Sequence, residues 1–369
     1  MGRGNILNTM VACDLLKENR TKTSIYDLNN SGIKKITVDL SPLIHKLGPY
    51  NLCGGIIDLI KTFNSHGIIL IFVFDGRPPK EKKFILDERK KRRNKNKMLV
   101  KNYESDLSNF KDKLSLKSTS KIEATEIKTR ILETTDNIRK YKKRTFSIKR
   151  EHIILLKNLF TYLKIPYVHM ENYEADLVCS RLVGMKYADA CLSDDYDLIS
   201  FNCKCILRNL DIKNKTVDII KLDEIFSKIN LNYEKFIYLI IMNGTDYSNK
   251  IGGGNIEDFK YMFTNIYDLL IEGYDMIEIL LLINYSKYNY EIAYNIFTKQ
   301  IDINPDLDII NYSDCNLIYR NIDTDKTLFI SQLKKYISDT KDKVNIKIVN
   351  KKLNDYKSLF SYVNPYLCL

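Results

Sequence analysis

GIILIFVFDG, Gly67 to Gly76, is the stretch on which the fold turns. From Gly67 to Phe74 it is continuously apolar and rich in β-branched and aromatic residues, and Asp75-Gly76 ends it. A strand with one solvated face would alternate apolar and polar residues. An unbroken apolar run of this length fits a strand buried on both faces. Upstream, KITVDL (Lys35–Leu40) reads as a second short buried strand, ending in a carboxylate at Asp39. Between the two, Ile56, Leu59, Ile60 and Phe63 recur at helical spacing. Strand, helix and strand within about forty residues is the signature of a parallel βαβ unit.

Downstream, Pro78-Pro79 closes that unit and the character of the chain changes. Residues 80–150 hold 24 Lys and Arg against 10 Asp and Glu, a net of +14; the whole chain carries +12, so everything else sums to −2. Within this segment Leu99, Tyr103, Leu107, Phe110 and Leu114 keep a helical period, and Ile127, Ile131, Ile138 and Tyr141 do so more loosely. The polar run Ser115–Ser120 separates them. Two amphipathic helices with basic outer faces are expected, inserted between strands of the sheet.

The α/β pattern then resumes. Glu151–Leu163 reads as a helix, Pro166–His169 as a strand, Glu171–Val183 as a helix and Ala188–Leu192 as a strand. The acidic turn Asp194–Asp197 follows, and Leu198–Phe201 and Cys205–Leu210 read as extended. Apolar Phe236–Met242 runs into Asn243-Gly244-Thr245-Asp246-Tyr247, and a helix is expected over Glu257–Phe263. This divides the chain into residues 1–89 and 151–275 as an α/β core, 90–150 as a basic insertion and 276–369 as a helical region of unassigned role.

Length and composition agree. With 369 residues and 44% hydrophobic content, one large α/β domain with an appended helical part, or two domains, can bury a core. Eight cysteines without a CxxC pair, and four histidines, speak against zinc sites and a disulfide framework and suit a reducing compartment. The first residues lack a signal peptide's apolar run, and Ile6 stands where a myristoylation signal needs Ser or Thr. The most apolar stretches are too short to cross a bilayer. An intracellular protein without a membrane partner is therefore expected, and the net positive charge suits a polyanionic one.

The acids fall in an informative pattern. Asp39 and Asp75 each end an expected parallel strand, Glu174 and Asp176 open a helix after a strand, and Asp195 and Asp197 follow another strand. In an open α/β sheet these positions share one edge, the carboxyl end of the strands, where ligands bind. Taken singly, such a residue reads as a helix cap, a first-turn acid or a solvated turn. Brought together, two carboxylates about 5 Å apart repel by roughly 3 kcal/mol at an effective dielectric of about 20. Six or more would hold protons unless cations neutralised them. Oxygen-only ligands favour two hard divalent ions, Mg²⁺ or Mn²⁺, and such a pair suits in-line phosphodiester displacement.

At these residues the chain resembles the flap endonucleases and their XPG-type relatives, 5′ nucleases with a PIN-like core, over roughly residues 1–275. Ile36-Thr37-Val38-Asp39 matches the first acidic block, and Phe72–Lys80 (FVFDGRPPK) the family's "VFDGKPP" block. Ile165-Pro166-Tyr167 with Tyr173-Glu174-Ala175-Asp176 and Cys179 matches "GIPY…EAEA…C". Asp194–Asp197 matches "EDMD" and Asn243–Tyr247 "LGSDY". Five blocks in order are specific where any one is weak. The resemblance implies an α/β core with a mostly parallel sheet flanked by helices, a basic helical arch over 90–150, a helix–two-turn–helix region and a helical C-terminal part.

It further implies metal ligands at Asp39, Asp75, Glu174, Asp176, Asp195, Asp197 and Asp246, with Asp176 in place of the usual Glu. Lys82 and Arg89, two helical turns apart, match the basic residues that draw in the scissile phosphate. Lys90, Lys91, Arg92 and Arg93 match the arch by location and charge, as contacts to a nucleic-acid backbone. His45 stands where the family often has a base-stacking Tyr; a core histidine is the alternative. Gly2 matches the near-terminal Gly of the family. Gly252, Gly253 and Gly254 stand where the family grips duplex phosphates and a K⁺ with G-I-G-P; the Pro and basic residue are missing here, which leaves the K⁺ open. Phe360–Leu369 contains no sliding-clamp motif. The implied activity is that of a 5′ flap endonuclease and 5′-3′ exonuclease on branched or flapped DNA. The open alternatives are a junction-resolving or end-processing nuclease and a non-catalytic nucleic-acid-binding module. The nucleus is the expected location or, for a gene of a large DNA virus, a cytoplasmic replication site.

Overall fold

The computed structural model describes residues 6–13, 15–16, 21–115, 121–251, 256–284, 287–304, 309–310, 326–340 and 344–360. They form two units: one of Met1–Glu81 with Arg150–Leu369, the other Lys82–Lys149.

The first unit is built on a sheet of eight strands among the described residues: β1 (Thr21–Ser24), β2 (Lys35–Asp39), β3 (Ile69–Val73), β4 (Tyr167–Val168), β5 (Ala190–Leu192), β6 (Cys205–Asp211), β7 (Thr216–Lys221) and β8 (Ile309–Ile310). Their order is β1-β7-β6-β5-β2-β3-β4-β8. The five inner strands from β6 to β4 are mutually parallel, and antiparallel pairings of β7, β1 and β8 extend both edges. The sheet is therefore mostly parallel and flanked by helices, as expected. Val38, Ile71, Phe72 and Val73 at its centre are buried on both faces, which explains the unbroken apolar run of β3. The helix Leu52–Asn64 lies between β2 and β3 in the chain and buries nine of its residues, including Ile56, Leu59, Ile60 and Phe63.

Several local expectations change. Leu198–Phe201 is not extended. Asp197–Ser200 forms a short helix whose Asp197 N–H donates to the Asp195 carboxylate at 3.1 Å, and burial of Leu198 and Ile199 anchors the turn. The helix expected from Glu171 begins only at Ala175, because the carbonyls of Glu171 and Tyr173 accept from the N–H groups of Arg77 and Gly76 instead. The helix expected over Glu257–Phe263 extends from Ile256 to Glu272. The C-terminal region belongs to the core: Phe329 stacks on Tyr162 at 5.6 Å, and the Lys352 ammonium donates to the Gly54 carbonyl at 3.2 Å and to Asp58.

The second unit pairs two long helices, Lys83–Ser115 and Lys121–Thr145. Val100, Thr134 and Ile138 are buried, Tyr103 stacks on Tyr141 at 5.7 Å, and Lys142 pairs with Glu104 at 2.6 Å. Most of its basic side chains are exposed. Among the described residues, no helix is long and apolar enough to cross a membrane.

Candidate metal centre

Register alone gathers the first acids. Asp39 on β2 pairs with Val73 on β3, and Val38 pairs with Leu192 on β5, so Asp39, Asp75 and Asp195 leave adjacent strands at the same edge. Asp39 is buried; one carboxylate oxygen caps the helix Leu40–Leu47 by accepting from the Ser41 N–H at 3.2 Å, and the other accepts from the Ser193 hydroxyl at 3.0 Å. Its capping role and its place in the cluster coexist. Asp75 accepts from the Ala175 N–H at 2.8 Å, at the start of the helix Ala175–Gly184, and from the Ser41 hydroxyl. The exposed N–H groups and dipole of a helix N-terminus favour negative charge there.

Asp176, on the first turn of that helix, is buried. Carboxylate oxygens of Asp176, Asp195 and Asp197 lie within 4.8 Å of one another, close enough to share a metal ion. Burial, with Asp39, Asp195, Asp75 and Asp197 nearby, pushes the Asp176 carboxyl well above the usual carboxylate range. Burial, with Asp75, Cys191 and Asp195 nearby, does the same to Asp39, against the opposing Ser193 hydrogen bond. Burial raises these pKa values by disfavouring charge, and neighbouring negative charge adds to it. Glu174 caps the same helix through its backbone, while its carboxylate accepts from the Tyr247 hydroxyl at 2.6 Å. Burial and Glu174 raise the Tyr247 hydroxyl far above its ordinary pKa, so it remains a donor. Asp246, beside Tyr247, is buried in the turn after the helix Tyr233–Met242.

Asp39, Asp75, Asp176, Asp195 and Asp197 are thus brought together, and Glu174 joins them through its helix and Tyr247. Lys82 lies in the 3-10 turn Lys80–Lys82 and is buried, while Arg89 is exposed near the start of the next helix, so the two do not share one helix. Lys90, Lys91 and Arg92 are exposed and Arg93 is partly so. His45 is exposed in the last turn of its helix and is not a core residue. Gly2, Gly252, Gly253 and Gly254 lie outside the described residues.

Sequence reading missed the groups that hold the acids. Ser41 and Ser193 bind two carboxylates each or bridge them to backbone: Ser193 Oγ also accepts from the Asp195 N–H at 3.1 Å. Arg208 on β6 is buried, donates to the Asp194 carbonyl, and lies 3.3 Å from the Tyr196 ring centroid. The Asp194 side chain turns elsewhere, accepting from the Asn209 N–H at 2.8 Å. Alternate residues of the turn are thereby sorted, with Asp195 and Asp197 facing the cluster. A serine or arginine in a strand or turn carries no distinguishing sequence signal; only the fold shows its partner.

The XPG I-region model matches residues 164–246, which hold Glu174, Asp176, Asp195, Asp197 and Asp246. Over these residues the chain is similar to the XPG I-region family. It is 30% identical over 192 residues to flap endonuclease 1-B of Xenopus laevis, covering 51% of this chain and 43% of that protein. It is 29% identical over 202 residues to flap endonuclease 1 of Enterocytozoon bieneusi, covering 54% and 49%. The matches thus span less than half the length of these relatives. Among solved structures, flap endonuclease-1 from Methanococcus jannaschii aligns over 93% of this chain and 96% of its own, with a TM-score of 0.54 at 19% identity. The catalytic core of Rad2 in complex with DNA substrate aligns over 96% and 100%, with a TM-score of 0.50 at 15% identity. At such identities the likeness is one of fold alone: the chain shares the fold of these two nuclease structures.

Proposed function

We propose that this protein is a structure-specific 5′ nuclease of the flap endonuclease/XPG type that hydrolyses DNA phosphodiesters near single-strand/duplex junctions, in replication, repair or recombination. The observation that carries the reading is the convergence of five aspartates from four separate chain segments at the carboxyl edge of the parallel strands. Two of them are buried and resist ionisation there without a cation. Among the described residues the group close enough to share an ion, Asp176, Asp195 and Asp197, offers oxygen donors alone, and such a set suits Mg²⁺, with Mn²⁺ as a substitute.

Asp176, Asp195 and Asp197 would hold one ion, and Asp39, Asp75 and Glu174 would share in holding a second. When bound, the ions polarise the scissile phosphate and make water nucleophilic at neutral pH. The chain's own residues do the rest. Ser41, Ser193 and the Ala175 N–H fix the carboxylates so that little reorganisation accompanies reaction. Tyr247 holds Glu174. Lys82 and Arg89 are assigned to the scissile phosphate, and the exposed Lys90, Lys91 and Arg92 with the partly exposed Arg93 to the DNA backbone, which they would bind without reading sequence. Flapped or branched DNA is the proposed partner, in the nucleus or, for a viral gene, at a cytoplasmic replication site.

The test is cleavage of a 5′-labelled flap duplex with and without Mg²⁺, with product lengths mapped, beside gapped, blunt and four-way substrates. Incision at the flap junction that requires Mg²⁺ is expected. Asp195→Ala should bind the flap and leave it uncut; cutting at the unsubstituted rate would remove the metal assignment. Preferred cutting of the four-way substrate would favour junction resolution instead.

A further inference from the structure

Beside the acid cluster stands a cation to which the proposed chemistry gives no role. Lys46 follows His45 in the last turn of the helix Leu40–Leu47, whose N-terminus Asp39 caps, and both side chains are exposed. The Lys46 ammonium donates to Asp194 Oδ2 at 3.4 Å, across 148 residues of chain, and Asp194 directly precedes Asp195. With Asp39, Pro42, Leu43, Ser193 and Asp194, Lys46 also lines a small cavity of about 40 Å³. The ammonium therefore sits at the carboxyl edge of the strands, on a cavity that it shares with Asp39. It belongs to the first unit, to which the basic helices do not belong.

The two partners are not held alike. Asp194 is fixed: its carbonyl accepts from Arg208, and its Oδ1 accepts from the Asn209 N–H at 2.8 Å. Lys46 is the movable one. It carries its charge on a flexible four-carbon stem, and its side chain is still 54% exposed within the pair. An exposed pair of this kind adds little to stability, because water screens it and ordering the side chain costs entropy. It is therefore readily given up for a stronger partner. A phosphate oxygen is such a partner, since charge-assisted hydrogen bonds to phosphate are short and strong, and each contact releases counterions from the nucleic acid. We propose that Lys46 is a phosphate contact for DNA at the metal centre: Asp194 holds it in the free protein, and it passes to a phosphate of the bound strand. The substrate in this proposal rests on the nuclease reading; the exchange rests on the geometry of the pair.

The test uses the full chain with Lys46→Gln, Lys46→Arg, Asp194→Asn, and Lys46→Gln combined with Asp194→Asn. Asp194→Asn keeps an oxygen for the Asn209 N–H and removes the charge that holds Lys46. Binding of a labelled flap duplex is read by anisotropy across salt concentrations, with Asp195→Ala added to each chain so that the flap stays uncut. KM and kcat are read without that addition. Lys46→Gln should weaken binding several-fold at low salt. It should lower the slope of log affinity against log salt by about 0.9 if the phosphate is in duplex, or about 0.7 if it is in a single strand. KM should rise with kcat little changed, and Lys46→Arg should restore both slope and KM. Asp194→Asn should tighten binding with the slope unchanged, and most of that gain should vanish when Lys46→Gln is present as well. A slope and KM equal to the parent's in Lys46→Gln overturn the contact. A gain from Asp194→Asn that persists in full beside Lys46→Gln comes from removing an acid alone and overturns the exchange. If the unsubstituted protein neither binds nor cuts flap DNA, the nuclease reading fails and this proposal with it; if it cuts and Lys46→Gln matches it, this proposal fails alone.

Discussion

Gly76 shows how narrowly the backbone around the acids is fitted. A Cβ there would lie 2.6 Å from the Tyr173 carbonyl and closer still to that of Met170. Neither neighbour is a flexible side-chain tip, so Gly76→Ala must displace the Met170–Tyr173 loop, and with it the hydrogen bonds that hold Asp75 and place Glu174. Its expected result is a lowered melting temperature together with loss of most cleavage; a variant melting and cutting like the parent would show that the loop yields freely. Asp39 and Asp176 supply a second prediction at this scale. Their carboxyls are raised in the fold by burial and by neighbouring acids. The stability they contribute to the metal-free protein is full below the unfolded value, about 3.9, and is lost as pH rises through the raised folded values. Bound Mg²⁺ reverses that loss by neutralising the charge. The rise in melting temperature on adding Mg²⁺ to EDTA-treated protein should therefore grow from pH 5 to pH 8. An equal rise at both pH values would mean that these acids are not what the ion relieves. The acids themselves could be read from the sequence because each ended a recognisable strand or opened a recognisable helix. Ser41, Ser193 and Arg208 could not, since their roles are defined by partners up to 154 residues away.

Among the elements, legibility followed burial. β3 is apolar on both faces and β2 is buried over four of its five residues, so both runs stand out whatever surrounds them. β1 (TKTS) has no buried residue, pairs with β7 at the sheet's edge, and leaves no trace in hydrophobic pattern. β8 is two residues long and exists because β4 offers it an open edge. The helix Asp197–Ser200 is hidden for a related reason: four residues carry no helical period, and the Asp195 carboxylate that accepts from the Asp197 N–H marks its start only in the fold. The role of the region after residue 275 was equally hidden, because docking depends on which helix face meets which neighbour. Helix Lys326–Thr340 docks on Arg150–Leu163 through Phe329, which is buried and stacks on Tyr162 at 5.6 Å with rings 7° from parallel. Truncating a buried Phe removes its transfer free energy and leaves a cavity, at a cost of about 3–5 kcal/mol. Phe329→Ala should lower the free energy of unfolding by about that amount in urea titrations, with the m-value little changed. A loss below about 1 kcal/mol would indicate that the site collapses around the gap or that the helix contributes little to the fold.

At the scale of the whole molecule, charge divides the chain as the contacts do. Residues 80–150 carry +14 and the rest −2, and the compact second unit, Lys82–Lys149, lies inside that basic stretch. Its helices bury little, so their charged faces are not there to support a core. The acid-lined edge of the sheet, by contrast, would repel a polyanion before metal is bound. On the proposed function, affinity for DNA would come mainly from the basic unit, by releasing counterions from the phosphates. Each phosphate contact contributes about 0.9 to the slope of log affinity against log salt on duplex DNA and about 0.7 on single strands. Replacing Lys90, Lys91, Arg92 and Arg93 together by Ala should therefore lower that slope by about 3, if all four contact phosphates. Anisotropy of a labelled flap duplex, measured on the Asp195→Ala background that is expected to leave the flap uncut, gives the slope without turnover. Affinity should fall most at low salt, and Mg²⁺ binding to the free protein should be unaffected, because the ligand carboxylates belong to the other unit. A slope equal to that of the unsubstituted protein would place the DNA-binding surface elsewhere and leave the basic helices as a merely solvated insertion.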